Sequence, residues 1–192
     1  MAITDKEQGV WELDEVYNKI NQGGIWSYTD PTGLYTWGRN EYHMGALGLN
    51  DTDDRSSPTQ LGGSGWSSEV ANSTAGFIAR KTNGTLWSWG YNGWGALGQN
   101  QPMPTKTSSP TQIGTDPTWA LVHRTTVDGS TYVVKTDGSL WAWGNNQHGE
   151  LADNTSVRKS SPVQIPGTWA NSSIVGGAGF ATARKSDGTL WT

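Results

Sequence analysis

His43, His123 and His148 are the side chains best suited to proton transfer or metal ligation in a chain of 192 residues that has no cysteine. They stand far apart, with no second histidine or carboxylate at ligand spacing, so they read as surface loop residues rather than as a zinc site. Asp51-Thr52-Asp53-Asp54 has the look of a calcium loop, yet it lacks the sixth-position glycine and the closing glutamate of the twelve-residue pattern. It reads as a solvated acidic turn. Gly176-Gly177-Ala178-Gly179 has none of the βαβ context that a dinucleotide loop needs, and no serine stands in a nucleophile elbow. The absence of cysteine excludes a thiol nucleophile and a disulfide framework. The expectation is a protein that is not an enzyme and that holds no metal and no cofactor.

Recognition chemistry is what remains. Three Trp-Gly pairs, Trp37-Gly38, Trp89-Gly90 and Trp143-Gly144, are each followed by a loop rich in aromatic and amide side chains. Asn40, Asn92 and Asn146 recur in these loops and are expected to hold their frame. Tyr42, His43, Tyr91, Trp94, Gln147 and His148 change from loop to loop. Such tips suit protein or sugar surfaces, and these six are the candidate partner-binding residues.

The elements that carry the loops are set by an internal repeat. Leu34-Tyr35-Thr36-Trp37-Gly38, Leu86-Trp87-Ser88-Trp89-Gly90 and Leu140-Trp141-Ala142-Trp143-Gly144 are followed by Leu190-Trp191-Thr192, at spacings of 52, 54 and 50 residues. Gly45-Ala46-Leu47-Gly48, Gly95-Ala96-Leu97-Gly98 and Gly149-Glu150-Leu151-Ala152 recur in phase, as do Ser57-Pro58, Ser109-Pro110 and Ser161-Pro162. A period near 50 with strand-length segments points to propeller blades. In Leu86 to Trp89, side chains alternate between two apolar or small faces, so the strand must be covered on both sides, as between neighbouring blades. Asn83-Gly84 and Asp137-Gly138 are hairpin turns, which pairs Phe77–Lys81 with Thr85–Trp89. The three prolines are expected to open outer, edge strands, where a missing amide donor is tolerated.

Composition agrees. Aliphatic residues are scarce, but 12 tryptophans, each able to bury roughly 150–250 Å², can build the core, and 26 glycines fit turn-dense β structure. The net charge of −4 disfavours nucleic acid as a partner. No apolar run approaches the roughly 20 residues of a membrane helix, and the first residues lack the pattern of a secretory signal.

These motifs resemble the repeats of the regulator of chromosome condensation family, whose pattern runs through Asp-Gly-Thr-aliphatic-Trp-x-Trp-Gly-x-Asn, then Gly-x-Leu-Gly, then Pro-Val-x-aliphatic. Trp89 to Gly98 fits every defined position, and Trp143 to Gly149 fits as well. The resemblance covers about residues 31–192 and implies an all-β propeller, of which about three and a half blades are present as an incomplete ring (31–83, 84–137, 138–187 and a partial 188–192). Family members usually close seven blades, so either the natural chain continues or copies complete one another.

Residues 1–30 stand outside the repeat. Thr4 and Glu7 form a capping box, Val10, Leu13, Tyr17 and Ile20 mark one helical face, and Gly23-Gly24 stops the helix. This short amphipathic helix is read as an anchor or cap. Gly9 to Tyr17, with Gly24 to Tyr28 after it, resembles the beginnings of virion proteins of marine tailed phages. That resemblance implies a virion structural or host-recognition protein, anchored to other virion proteins by its N-terminal segment, contacting a host surface protein or glycan, and present as a homo-oligomer. The alternative is a free, secreted or cytoplasmic protein-binding propeller of the inhibitor or adaptor type.

Overall fold

A computed structural model of the chain describes residues 33–40, 45–73, 76–124 and 129–192. Thirteen strands are described: β1 (Tyr35–Gly38), β2 (Arg55–Gln60), β3 (Trp66–Ser73), β4 (Gly76–Lys81), β5 (Leu86–Tyr91), β6 (Lys106–Gln112), β7 (Trp119–Arg124), β8 (Thr131–Lys135), β9 (Leu140–Gly144), β10 (Lys159–Ile165), β11 (Trp169–Gly177), β12 (Phe180–Lys185) and β13 (Leu190–Trp191). They form two full four-stranded antiparallel sheets, β3-β4-β5-β6 and β7-β8-β9-β10, flanked by the pair β1-β2 and the three-stranded β11-β12-β13. This is the all-β blade arrangement expected of the repeat. The expected N-terminal helix, with Val10, Leu13, Tyr17 and Ile20, lies outside the described residues.

The sequence repeat and the sheets are out of phase. A unit cut at residues 83 and 84 falls between β4 and β5, so each full sheet takes its first two strands from one unit and its last two from the next. The hairpin registers follow the turns. Phe77 lies opposite Trp89 and Ala79 opposite Trp87, across a turn in which Gly84 has φ +85°. A Cβ at Gly84 would lie 1.8 Å from the carbonyl oxygen of Pro117, where the chain enters β7, so both backbone sign and space require glycine.

The recurrent Asp-Gly-Thr-x-Trp spacing builds a short relay. Trp87 Nε1 donates to Thr85 Oγ1 at 2.9 Å, and that hydroxyl donates to Asn83 Oδ1 at 2.7 Å. The same relay links Trp141, Ser139 and Asp137, and again Trp191, Thr189 and Asp187. It fixes the outer indole of each unit to its own turn.

The inner indoles join the sheets. Trp89 and Trp143 are both 0% exposed. Trp89 Nε1 reaches back to the carbonyl of Ala46 at 2.8 Å, and Trp143 Nε1 to that of Ala96 at 3.0 Å. Each ring enters a socket made by the Gly-Ala-Leu-Gly loop of the preceding unit, by the residue that follows the preceding outer strand, and by the first two strands of its own sheet; around Trp89 the last two are Leu61, and Trp66 with Ala79. Gly48 and Gly98 close the sockets, and a Cβ there would stand 2.8 Å and 2.6 Å from the indole nitrogens. The opposite face of β4 and β5, with Ile78 and Leu86, packs against Trp119, Val133 and Trp143 of the next sheet. Both faces of a full sheet are thus covered, as the two-sided apolar pattern requires.

One expectation is corrected. Pro58, Pro110 and Pro162 lie on outer strands, but they do not open them: β2, β6 and β10 begin at Arg55, Lys106 and Lys159. The register of β5 with β6 shifts between the Ser88–Thr111 and Gly90–Thr107 pairs, and that of β9 with β10 shifts between Lys159 and Val163. These bulges take up the prolines, whose missing donors then cost no ladder bond.

Candidate functional site

The β5–β6 and β9–β10 loops, which join the third and fourth strands of the two full sheets, and the β1–β2 loop share one construction. Asn40, Asn92 and Asn146 are 0–1% exposed. Their Oδ1 atoms accept the backbone N–H of Leu47, Leu97 and Leu151 at 2.9–3.1 Å. Their Nδ2 groups bridge the far side of the loop, to the Asp51 carbonyl, to Thr105 Oγ1, and to Asp153 Oδ1 and the carbonyls of Thr155 and Val157. A buried amide is the strut on which each loop is folded.

Asp51 to Asp54 serve the first of these loops. Asp51 Oδ1 accepts from Asn40 Nδ2, Asp54 Oδ1 accepts from the backbone N–H of Asn40, and Asp51 pairs with Arg55 at 2.5 Å. In the third loop, desolvation raises the pKa of Asp153, but hydrogen bonds from Thr155, Lys159 and Asn146 prevail and hold it at about 2. No cluster of three or more metal-ligating side chains is present among the described residues.

On this frame sit the candidate contact residues. Tyr42 and His43 lie outside the described residues. Tyr91 is the last residue of β5 rather than a loop residue, and its ring meets that of Trp94 edge to face at 6.5 Å. Trp94 is half-buried: a Cβ at Gly129, where the next sheet's second strand begins, would touch its ring at 3.1 Å. Gln147 and His148 are exposed, and the His148 ring lies beside Gly179 in the β11–β12 turn. The structure therefore joins Tyr91 with Trp94 and places Gln147 next to His148. The two pairs belong to consecutive sheets, at the same end of each, and each borders the first turn of the following sheet.

A second repeated feature escaped sequence reasoning. At the other end of the sheets, Lys81 lies over Trp66 and Trp87 at 4.7 Å and 4.5 Å, Lys135 over Trp119 and Trp141 at 4.6 Å and 3.9 Å, and Lys185 over Trp169 and Trp191 at 5.7 Å and 3.8 Å. Each lysine spans two indoles, a favourable placement of a cation on aromatic faces. The signal was present as a lysine three residues before each turn glycine. Lys135 also pairs with Asp116 at 2.5 Å, and that hydrogen bond, with those from Thr118, holds the Asp116 carboxyl at about 2.

Each loop of the repeat thus joins a constant buried strut to tips that vary. The sequence pattern described as the regulator of chromosome condensation (RCC1) repeat matches residues 33–74, 83–123 and 137–183, and the chain belongs to that family. It is similar to the ultraviolet-B receptor UVR8 of Arabidopsis thaliana, with 27% identity over 146 residues that make up 71% of this chain and 31% of the receptor. It is also similar to the human protein named Probable E3 ubiquitin-protein ligase HERC6, with 26% identity over 69% of this chain and 13% of that one. The chain thus spans under a third of these relatives. Among solved structures, human WBSCR16 shares its fold at a TM-score of 0.65 and 23% identity, over 84% of this chain and 42% of that one. Yeast RCC1 (Prp20), solved bound to Kap60, does so at 0.66 and 15%, over 83% and 39%.

Proposed function

We propose that this chain is a protein-binding propeller module that uses the rim formed by its third-to-fourth-strand loops. The observation that carries the reading is the contrast within each loop: a strut that is 0–1% exposed in all three units, beside tips that differ in each. A frame held constant while its tips vary is what a scaffold for recognition requires. Tyr91, Trp94, Gln147 and His148 would form the described part of the contact surface, with Tyr42 and His43 contributed by the first loop. The fold neighbour bound to Kap60 is a protein-binding propeller by its own structure, which agrees with this reading without naming a partner for this chain.

The setting we favour is a tailed-phage particle, on the resemblance of Gly9 to Tyr17 and Gly24 to Tyr28. There the N-terminal segment, through Val10, Leu13, Tyr17 and Ile20, attaches the module to other virion proteins, and the rim faces a host protein or glycan. Mass spectrometry of purified particles tests it: the chain should copurify in stoichiometric amounts, and a variant beginning near Pro31 should keep its β-rich circular dichroism yet fail to join the particle. Recovery of the protein only in free form would favour the inhibitor or adaptor reading instead.

A further inference from the structure

The lysine stacks of the two full sheets are built alike but paired differently. The segment that leads from an outer strand into the next sheet runs beside each lysine, residues 61–66 beside Lys81 and 113–119 beside Lys135. Both segments are tied down at the same two points. The Leu61 N–H donates to the Leu34 carbonyl and the Ile113 N–H to that of Leu86, while the Thr82 N–H donates to the Gly65 carbonyl and the Thr136 N–H to that of Thr118. What lies between these ties differs. The second segment supplies Asp116, whose carboxylate meets Lys135 Nζ at 2.5 Å while remaining 36% exposed itself. The first is Gly62-Gly63-Ser64, exposed throughout and without an acid.

Lys81 thus has aromatic neighbours but no described counter-ion. Its Nζ stands 4.7 Å and 4.5 Å from the Trp66 and Trp87 ring centroids, and among the described residues no carboxylate pairs with it. An ammonium carries three N–H donors, and two ring faces offer them no oxygen. On the side of the glycines the neighbourhood is bare: a Cβ at Gly63 would lie 3.4 Å from Nζ. Partial burial between indoles strengthens any ion pair formed there over one in open water. From Arg55 onward the sequence holds ten Lys and Arg against seven Asp and Glu, so the repeat region is net basic and suits an acidic visitor.

We propose that Lys81, framed by Trp66, Trp87 and the Gly62–Ser64 segment, is the docking point for an acidic side chain of a partner protein, which takes the place that Asp116 holds beside Lys135. Asp116 is the built-in version of the same contact. The two glycines allow a partner backbone to come close. This surface lies at the opposite end of the sheets from Tyr91 and Trp94, so it is a second contact, independent of the rim.

The probe is the pentapeptide Gly-Thr-Asp-Pro-Thr with blocked ends, the sequence that carries Asp116, titrated into the 192-residue chain at low ionic strength and followed by amide and indole NMR shifts. Saturable shifts should appear in residues 61–66 and at the Trp87 indole, and the same peptide with Asn for Asp should give none. Lys81→Met keeps the aliphatic stem over the rings and removes the charge. It should weaken binding about tenfold, the scale of one hydrogen bond to a charged group. Ser64 follows Leu61 by three residues, as Asp116 follows Ile113, so Ser64→Asp should pair with Lys81 within the chain and weaken peptide binding to the same degree with no loss of thermal midpoint. Asp116→Asn should uncover Lys135 and add a second set of shifts in residues 113–119. Absence of shifts in residues 61–66, equal binding by the Lys81→Met chain or by the Asn peptide, or equal shifts from inorganic phosphate at the same concentration overturns the proposal.

Discussion

At the residue scale, the two kinds of tryptophan differ in what their removal leaves behind. Trp143→Ala empties a filled socket and abandons the hydrogen bond to the Ala96 carbonyl, so unfolding by urea should report a loss of about 3–5 kcal/mol. Trp94→Ala removes a half-buried ring at the rim and should cost about 1 kcal/mol, with its larger effect on partner binding. Equal costs would contradict the division into joint and rim. Asp153 supplies the test with pH. Its folded pKa is about 2, below the ordinary 3.8, so its hydrogen bonds add stability that is fully present above pH 4 and is lost as pH falls toward 2. Asp153→Asn should be less stable than the parent at pH 7 and should show a shallower fall between pH 4 and pH 2, read from urea midpoints at each pH.

At the element scale, the loop struts give the sharpest expectation. Asn146→Ala removes the acceptor of the Leu151 N–H and the donor to Asp153, Thr155 and Val157 together. The buried Leu151 amide would be left unsatisfied, at a cost of about 1–3 kcal/mol, and hydrogen exchange should quicken across residues 147–158 before the flanking β9 and β10 respond. These struts were readable from the sequence because Asn40, Asn92 and Asn146 recur in phase. The strands and their turns were readable for the same reason: a repeated Leu-Trp-x-Trp behind a repeated turn glycine admits few pairings. The placement of the prolines was not, since a bulge depends on where the partner strand's register slips. Nor were the lysine stacks, because the partners of Lys135 come from three separate strands and turns. Tyr91 and Trp94 were read from the sequence as loop tips; that Tyr91 ends β5 and that Trp94 rests over Gly129 of the next sheet required the packing of one sheet on another.

At the scale of the whole described repeat region, the contacts between sheets run only from each sheet to its neighbour. Stability should then behave as a sum of unit and joint terms. Trp143→Ala should lower exchange protection in β7–β10 while the joint around Trp89 keeps most of its own, a gradient that uniform loss of protection would contradict. The same arrangement bears on how the chain is made. The carbonyl of Ala46 waits 43 residues for Trp89, and that of Ala96 waits 47 residues for Trp143. At a synthesis rate of about 5–20 residues per second, each half-built sheet emerging from the ribosome is left open for only a few seconds before the next indole arrives. Folding of the two full sheets can therefore proceed in step with translation, one joint at a time.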